Sequence, residues 1–379
     1  MSKLPTVCFL TGTLNAFAGA ERVTAVIANA LAERGYRVLV LSLWDKASVF
    51  PLHADVVHDA LFASRPSFKL QYFATVAGIR RFVRLHGIDV LIEVDTMLTL
   101  FTLPATLGLK VRRIAWEHCH FDEDLGRRAR RVARWLAART DEAVVVLTER
   151  DRQRWLEALQ PRSRVVAIPN PLPFPFPETA APRKSKTVLA IGRLVAAKGF
   201  DVLLRAWAHV VAEAPGWQLI IHGEGKERSA LVALSRQLGL HDSVTMPGIC
   251  EDARHAYEHA SVFCLSSRYE GFALVLVEAM AFGLPIVSTD CETGPRELLR
   301  SGENAIVVPV DDTHALARGL LQVIRAGELS SALGKQGRKD ALEYVLATII
   351  AKWDILIANR IPGHVSPDPP PSWRASGSR

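Results

Sequence analysis

Residues Ser266–Asp290 read SSRYEGFALVLVEAMAFGLPIVSTD, and the rest of the chain can be interpreted around this stretch. The apolar run Ser261–Ser266 predicts a buried strand that leads into a tight loop at Glu270-Gly271-Phe272. A short helix is predicted over Ala273–Phe282, because a glycine and then a proline follow it and end it. Ile286–Thr289 predicts the next buried strand. The stretch is therefore a strand–loop–helix–strand unit.

Two glutamates, Glu270 in the loop and Glu278 in the helix, interrupt this apolar unit. A helix N-terminus behind a glycine loop presents unpaired N–H groups and a partial positive charge, which suit a phosphate group. Glu270 is placed where a carboxylate could accept hydrogen bonds from sugar hydroxyls. Glu278 lies about two turns into the helix, and a buried carboxylate is costly unless it is paired. The alternative for Glu278 is a plain ion pair with an arginine or lysine elsewhere in the chain.

Length and composition indicate two domains with large cores. The chain has 379 residues, of which 49% are hydrophobic, and one core rarely serves so long a chain. The five cysteines are an odd number without paired spacing, so we expect reduced, structural thiols and a cytoplasmic protein, not a disulfide framework or a zinc site. The N-terminus lacks a signal-peptide pattern, and no apolar run reaches membrane-spanning length.

The formal net charge is +7, and its basic residues concentrate in two helical patterns. One pattern is Arg127–Arg139, and the other is a smaller group at Arg80, Arg81 and Arg84. A basic helix beside Trp135 suits an anionic membrane surface or a lipid pyrophosphate. An ordinary solvated helix face is the equally weighted alternative. No nucleic-acid motif accompanies the charge, so nucleic-acid binding is not expected.

The first half begins with a strand at Thr6–Leu10, a loop of small residues through Gly19, a helix over Ala20–Glu33 and a strand at Arg37–Leu43. This order is typical of a doubly wound, nucleotide-binding α/β fold. The loop lacks the GxGxxG spacing, so it is a weak phosphate signal by itself. The alternative role of Gly19 is close packing alone.

Further strands are predicted at Val90–Val94, Arg113–Trp116 and Ala143–Leu147. His118 follows the second of these strands, and open α/β sheets bind ligands outside the carboxyl ends of their strands. His118 is therefore a candidate functional residue and His120 a lesser one, with an ordinary loop position as the alternative for each. Neither histidine has further ligands at metal-binding spacing.

Residues 169–186 are rich in proline and mark the domain boundary, after which the α/β alternation restarts. Thr187–Gly192 predicts the first strand of the second half, and Arg193 and Lys198 follow it ahead of a helix. Two cations at that position could clamp a diphosphate. The alternative is that both are ordinary surface charges at a strand end. The two glutamates downstream in the same half disfavour this alternative.

With these features in place, the chain resembles the retaining glycosyltransferases of family 4. In the second half the resemblance is carried by Gly192-Arg193, Lys198-Gly199, Pro247-Gly248, Glu270-Gly271-Phe272 with Glu278, Cys291–Glu297, and the strand Ala305–Pro309 with Asp311. In the first half it is carried by Ala18–Glu21 and Trp116-Glu117-His118, followed by the linker start Ile168–Pro171. The resemblance covers roughly residues 5–360, and Ala305 departs from it, because relatives carry glycine there.

The resemblance implies the GT-B fold, in which two Rossmann-like, doubly wound domains face each other across a cleft. Residues 1–168 would form the first, acceptor domain, which a C-terminal helix at 341–360 completes. Residues 169–186 would be the linker and residues 187–340 the donor domain. Residues 361–379, rich in proline and serine, predict a disordered tail.

The resemblance also implies roles for five side chains. Arg193 and Lys198 would bind the donor diphosphate and stabilise the leaving nucleoside diphosphate. Glu270 would bind donor-sugar hydroxyls near the reacting carbon, and His118 would contact that sugar from the opposite wall. These four are the expected catalytic residues. Glu278 would hold the ribose hydroxyls.

Five more residues are expected to contribute through their backbone. The N–H groups of Gly271, Phe272 and Ala273 would contact the sugar or phosphates. Gly19 would let the first-half loop close over the diphosphate. Gly248 begins the loop expected near the base.

The implied activity is transfer of a hexosyl or N-acetylhexosaminyl unit from a nucleotide sugar, UDP-linked by family frequency, to a saccharide acceptor carried on a lipid pyrophosphate. Retention of anomeric configuration, a front-face displacement and a role in bacterial surface polysaccharide synthesis are implied with it. We expect neither a metal nor an organic cofactor, and a location in the cytoplasm or on the inner face of the plasma membrane. The alternatives are a sugar-nucleotide epimerase, a phosphorylase or a non-catalytic binding scaffold of the same fold.

Overall fold

The computed structural model describes residues 4–358 except 125 and 251. The predicted tail at 361–379 lies outside the described residues. None of the described helices combines the length and the apolar character that crossing a bilayer requires.

The first domain is built on a seven-stranded parallel sheet with the order β3-β2-β1-β4-β5-β6-β7. Its strands are β1 Thr6–Thr11, β2 Arg37–Trp44, β3 Val57–Phe62, β4 Val90–Val94, β5 Arg112–Trp116, β6 Ala143–Val146 and β7 Arg164–Ala167. Its helices are α1 Gly19–Glu33, α2 Tyr72–His86, α3 Thr99–Thr106, α4 Arg128–Thr140 and α5 Glu149–Leu159. The central strands are apolar and buried because helices cover both faces of a parallel sheet.

The second domain repeats the pattern on a six-stranded parallel sheet with the order β10-β9-β8-β11-β12-β13. Its strands are β8 Thr187–Ile191, β9 Gln218–His222, β10 Val244–Gly248, β11 Val262–Leu265, β12 Ile286–Thr289 and β13 Ile306–Val308. Its helices are α6 Phe200–Glu213, α7 Arg228–Gln237, α8 Ala253–Glu258, α9 Leu274–Ala281, α10 Pro295–Leu298, α11 Thr313–Arg325 and α12 Gly327–Asp340, and the last described helix, α13 Leu346–Ile357, follows this domain. The prediction of two doubly wound α/β domains is confirmed.

Two strands of the first sheet, β3 and β7, were not predicted from the sequence. Both are edge strands and pair with one neighbour only. The side chains of β3 are mostly half-exposed, and β7 is only four residues long. Neither therefore carries the long apolar run that identifies a strand buried on both faces.

The C-terminal helix differs from its predicted bounds at the N-terminal end. Ala341–Tyr344 forms a separate 3-10 turn, and the ring of Tyr344 lies 5.8 Å from that of Phe272 in the second domain. α13 then packs on the first domain, where Trp353 meets Trp116 edge-on at 4.9 Å. Arg112 donates to the carbonyl of Ile357 at 2.5 Å. The chain therefore crosses back to the first domain at about residue 345.

The basic helix α4 divides its arginines between the interior and the surface. Arg130 and Arg134 are each 2% exposed and pair with the fully buried Glu117 at 3.1 and 2.9 Å. Arg127, Arg128 and Arg131 are exposed. The hypothesis that α4 meets an anionic membrane stays a prediction, and two of its arginines are committed to the protein interior.

Candidate active site in the interdomain cleft

Lys198 and Glu270 are in direct contact at the carboxyl end of the second sheet. The Lys198 ammonium lies 2.7 Å from Glu270 Oε1, and Ser267 donates to the same oxygen at 2.6 Å. Lys198 ends a 3-10 turn after β8, whereas Glu270 lies in the loop after β11. These strands are neighbours and parallel, so their following loops meet at one edge. Glu270 is 8% exposed, and Lys198 offers the buried carboxylate its charged partner.

Two glycines allow the backbone to approach this pair closely. Gly199, beside Lys198, has a φ of +61°, and a Cβ there would clash with the carbonyl of Ser266. A Cβ at Gly271, beside Glu270, would clash with the carbonyl of His118 in the first domain. Gly271 therefore brings the wall of the second domain into contact with that of the first.

Arg193 lies at the end of β8 and is exposed. Burial raises the pKa of Glu21 of α1 in the first domain, and the charge of Arg193 acts against that rise. One carboxylate oxygen of Glu21 is buried and has no hydrogen-bond partner among the described residues. The cation predicted to grip a diphosphate is thus in the cleft, with a first-domain carboxylate opposite.

His118 follows β5 on the first-domain side of the cleft. Its ring lies against Trp116 with a centroid separation of 4.5 Å, and its Nε2 is buried without a hydrogen-bond partner among the described residues. Desolvation lowers the pKa of His118 to about 4, so the imidazole is neutral at pH 7. A neutral ring can donate from one nitrogen and accept at the other, as a sugar hydroxyl requires.

Glu117 anchors the His118 loop, a function that the sequence did not indicate. Its Oε1 accepts the backbone N–H groups of His118 and Cys119 at 3.1 and 3.0 Å. Its charge is balanced by the two inward arginines of α4, which lower its pKa against the raising effect of burial. The sequence after β5 mixes polar and apolar residues. This pattern did not indicate that the Glu117 carboxylate points inward.

Glu278 is 2% exposed and has a partner from each domain. Arg22 of α1 donates to its Oε1 at 2.9 Å, and Tyr257 of α8 donates to its Oε2 at 2.7 Å. The ion pair with an arginine, left open as the alternative interpretation of Glu278, is therefore present. A ribose bound here would have to share Glu278 with these donors or replace them.

Removing the Arg22 charge is expected to destabilise the fold in a pH-dependent way. Burial raises the pKa of Glu278, and Arg22 opposes that rise, so Arg22→Gln should raise it further. The variant should lose about 1–3 kcal/mol of unfolding free energy near pH 8, and the loss should shrink as the pH falls and Glu278 becomes protonated. Melting curves of both proteins between about pH 5 and pH 8 test this.

Arg34→Gln is the matched control on α1, because Arg34 pairs with Asp354 at the surface at 3.4 Å. A surface pair contributes about 0–1 kcal/mol. The same destabilisation by Arg22→Gln at all pH values would contradict the assigned partner.

The remaining predicted residues lie around this core in different ways. Phe272 is buried, and Ala273 caps α9 in a left-handed conformation with a φ of 61°. Gly248 closes β10, and burial raises the pKa of the nearby Cys250 thiol to about 11, with a smaller raising effect of the Glu278 charge. Gly19 begins α1 with open space around its α-carbon. The donor-binding roles of these residues stay predictions.

The structure also adds residues that sequence reasoning missed, namely Arg22, Tyr257, Ser267, Thr293 and Glu117. Thr293 donates its hydroxyl to the backbone carbonyl of Glu270. Some of these residues lie outside the short sequence motifs, and the others lie within a motif but at no distinctive spacing. The local sequence therefore did not identify them as site residues. The described residues contain no group of three or more His, Cys, Asp and Glu side chains arranged to hold a metal ion, and the described cysteines are all unpaired.

Two protein-family models and a relative over almost its whole length match this chain. The family model described as Glycosyltransferase Family 4 matches residues 17–174, and that described as Glycosyl transferases group 1 matches residues 174–340. An uncharacterized glycosyltransferase of Haemophilus influenzae is 32% identical over 345 residues, which is 91% of this chain and 98% of the relative.

A second relative and a solved structure extend the comparison. A protein of Campylobacter jejuni is named GalNAc-alpha-(1->4)-GalNAc-alpha-(1->3)-diNAcBac-PP-undecaprenol alpha-1,4-N-acetyl-D-galactosaminyltransferase. It is 27% identical over 93% of this chain and 98% of its own length. The structure of Anabaena HepE in complex with UDP-glucose superposes with a TM-score of 0.77 at 18% identity, over 94% of this chain and all of that one. The chain therefore belongs to glycosyltransferase family 4 and has its GT-B fold.

Proposed function

We propose that the enzyme transfers a hexosyl or N-acetylhexosaminyl unit from a UDP-sugar to a saccharide carried on a lipid pyrophosphate, with retention of anomeric configuration. The observation that carries this proposal is the contact between Lys198 and Glu270 at the cleft. In this proposal, Lys198 binds the diphosphate and the adjacent Glu270 binds the sugar hydroxyls. His118, in van der Waals reach of the same loop through Gly271, provides the facing wall.

In the proposed reaction, the bond between the anomeric carbon and the diphosphate oxygen breaks, and its electron pair goes to the leaving diphosphate. Lys198 and Arg193 stabilise the negative charge that develops there, and fixed cations do so without reorganising. The acceptor hydroxyl attacks the same face of the sugar, and the leaving phosphate oxygen takes its proton. Glu270 holds the sugar and is not assigned as a nucleophile, since its Oε1 is engaged by Lys198 and Ser267.

The relatives support the substrate classes named here. The Campylobacter relative has an undecaprenyl-diphosphate-linked saccharide in its name, and HepE was solved with UDP-glucose. Two further relatives are named for amylovoran biosynthesis and for lipopolysaccharide core biosynthesis, which favours bacterial surface polysaccharide synthesis. We therefore propose that pathway for this enzyme, together with a location on the inner face of the plasma membrane.

The proposal is tested by a melting-point screen of UDP- and GDP-sugars, followed by transfer to a short undecaprenyl-diphosphate saccharide. A donor that binds only the folded state raises the melting temperature. Proton NMR of the product then gives the anomeric configuration, which should equal that of the donor. Inversion would refute the retaining mechanism. Isomerisation of the donor, or binding without transfer to any acceptor, would favour the epimerase or scaffold alternatives.

A further inference from the structure

The exposed face of α2 is made only of apolar and basic residues. Helical geometry places its outward residues within an arc of about 120°, while Thr75, Ile79, Phe82 and Val83 face the interior. The outward residues are Phe73, Ala74, Ala77, Arg81, Arg84 and Leu85. No acidic or neutral polar side chain belongs to this face, which is unusual for a helix that only meets water.

Large apolar side chains along this segment are almost fully exposed. Leu70, just before the helix, is 87% exposed, Phe73 in its first turn is 83% exposed, and Leu85 in its last turn is 72% exposed. Scattered exposed apolar residues are common, but Leu70 and Phe73 are three residues apart at one end of the segment, whereas Leu85 is about 18 Å further along the helix. Removing them from water would be favourable by about 25 cal/mol for each Å² of apolar area.

The charge of the same segment has one sign. Between Asp59 and Asp89 the sequence has no acidic residue, but it has five basic ones, at positions 65, 69, 80, 81 and 84. Arg80 is used internally, where it donates to the carbonyls of Ala105 and Leu107 at 2.9 and 2.8 Å.

Lys69, Arg81 and Arg84 are exposed, and no described carboxylate forms a salt bridge with any of them. They are thus available to an external anionic surface. In α4, by contrast, the buried Arg130 and Arg134 pair with Glu117. α4 also exposes Arg127 and Arg128, but its exposed apolar side chains, Val132 and Trp135, are only 55% and 47% exposed. The α2 segment therefore differs from α4 by the greater exposure of its apolar side chains.

The start of the segment lies at the same edge of the first sheet as His118. α2 follows β3, so its first turn and the preceding loop lie at the carboxyl edge of the first sheet, which is also the edge that carries His118. Phe68 fixes the loop by packing on Trp44 and Phe101 with ring centroids 6.1 and 5.3 Å away. The Tyr72 hydroxyl donates to the carbonyl of Leu100 at 2.8 Å. Leu70 and Phe73 therefore project from a packed base at the carboxyl edge of the first sheet.

We propose that residues 69–85, which we call the α2 surface, dock the enzyme on an anionic lipid bilayer. Leu70 and Phe73 enter the boundary between headgroups and acyl chains, while Lys69, Arg81 and Arg84 contact anionic headgroups. We infer a lipid bilayer from the exposed apolar side chains, and an anionic one from the basic residues on the same face. Docking holds the rim of the first domain at the bilayer, where a lipid-linked acceptor would be. The docking itself does not depend on the proposed transfer reaction.

The test is co-sedimentation with vesicles of phosphatidylcholine, with and without phosphatidylglycerol, at low and high salt. We expect the wild-type protein to bind the phosphatidylglycerol vesicles and to be released by salt. Arg81→Gln with Arg84→Gln should lower the partition coefficient about 30-fold, since each basic residue is worth about fivefold. Leu70→Ser with Phe73→Ser should lower it by at least about tenfold.

The matched control is Arg127→Gln with Arg128→Gln on α4, which removes the same charge from exposed positions of the other basic helix. It should bind nearly as well as wild type, and all variants should keep the wild-type melting temperature and transfer activity on a water-soluble acceptor. Equal loss in the α4 variant would overturn the assignment to α2. Equal binding to both vesicle types, or a dimer that the Leu70 and Phe73 changes dissociate in place of vesicle binding, would overturn the proposal.

Discussion

Replacing Lys198 by methionine is expected to lower kcat about 10²- to 10³-fold, which is the usual effect of removing one preorganised charge from a developing anion. Methionine keeps most of the side-chain volume, and the stem of Lys198 lies over Gly192 at 3.3 Å from a Cβ position there. The packing should therefore survive. Steady-state transfer from the best UDP-sugar of the screen measures kcat and the donor KM separately.

The control for this change is Lys226→Met, at an exposed lysine of the same domain, which should leave both constants unchanged. The donor KM of the Lys198 variant should rise less than kcat falls, because the charge on the diphosphate is greatest in the transition state. A kcat within about threefold of wild type would remove Lys198 from the mechanism.

Replacing Glu270 by glutamine should lower kcat about 10²-fold. The amide keeps the shape of the side chain but loses the negative charge that holds the Lys198 ammonium at 2.7 Å. It also exchanges an acceptor for a donor in front of the sugar hydroxyls. Lys198 would then be free to move from its place, so the variant should lose both sugar contacts and the position of the cation.

A double-mutant cycle separates these contributions. If Glu270 acts largely through Lys198, the combined Lys198→Met and Glu270→Gln variant should be little slower than the Lys198 variant alone. Strict multiplication of the two effects would show that Glu270 and Lys198 act independently. Glu157→Gln, at an exposed glutamate of α5, serves as the control, and melting temperatures show whether each variant is folded.

Several features of the site could be predicted from local sequence. Lys198 and Glu270 are 72 positions apart, yet each follows a strongly apolar strand, and adjacent parallel strands deliver their loops to one edge. Gly199 and Gly271 stand beside them in the quoted motifs, and the structure shows that a Cβ would clash at both positions. The sequence therefore predicted that both side chains belong to one site, whereas the strand order and the direct contact between them are seen only in the structure.

Other features depended on partners that no local pattern identifies. Arg22 and Glu278 are 256 positions apart and lie in different domains, so their pairing requires the relative placement of the two sheets. The arginines of α4 show the same limit. A helical repeat tells which residues share a face, but only the buried Glu117 determines that Arg130 and Arg134 face inward.

The sequence by itself determined the succession of buried strands and helices, the two doubly wound sheets and the family, because alternation of apolar runs with glycine turns is a local property of the chain. The tertiary structure alone decided which charges are buried in pairs and which remain exposed. That division depends on desolvation, and desolvation is set by what other segments pack against a side chain.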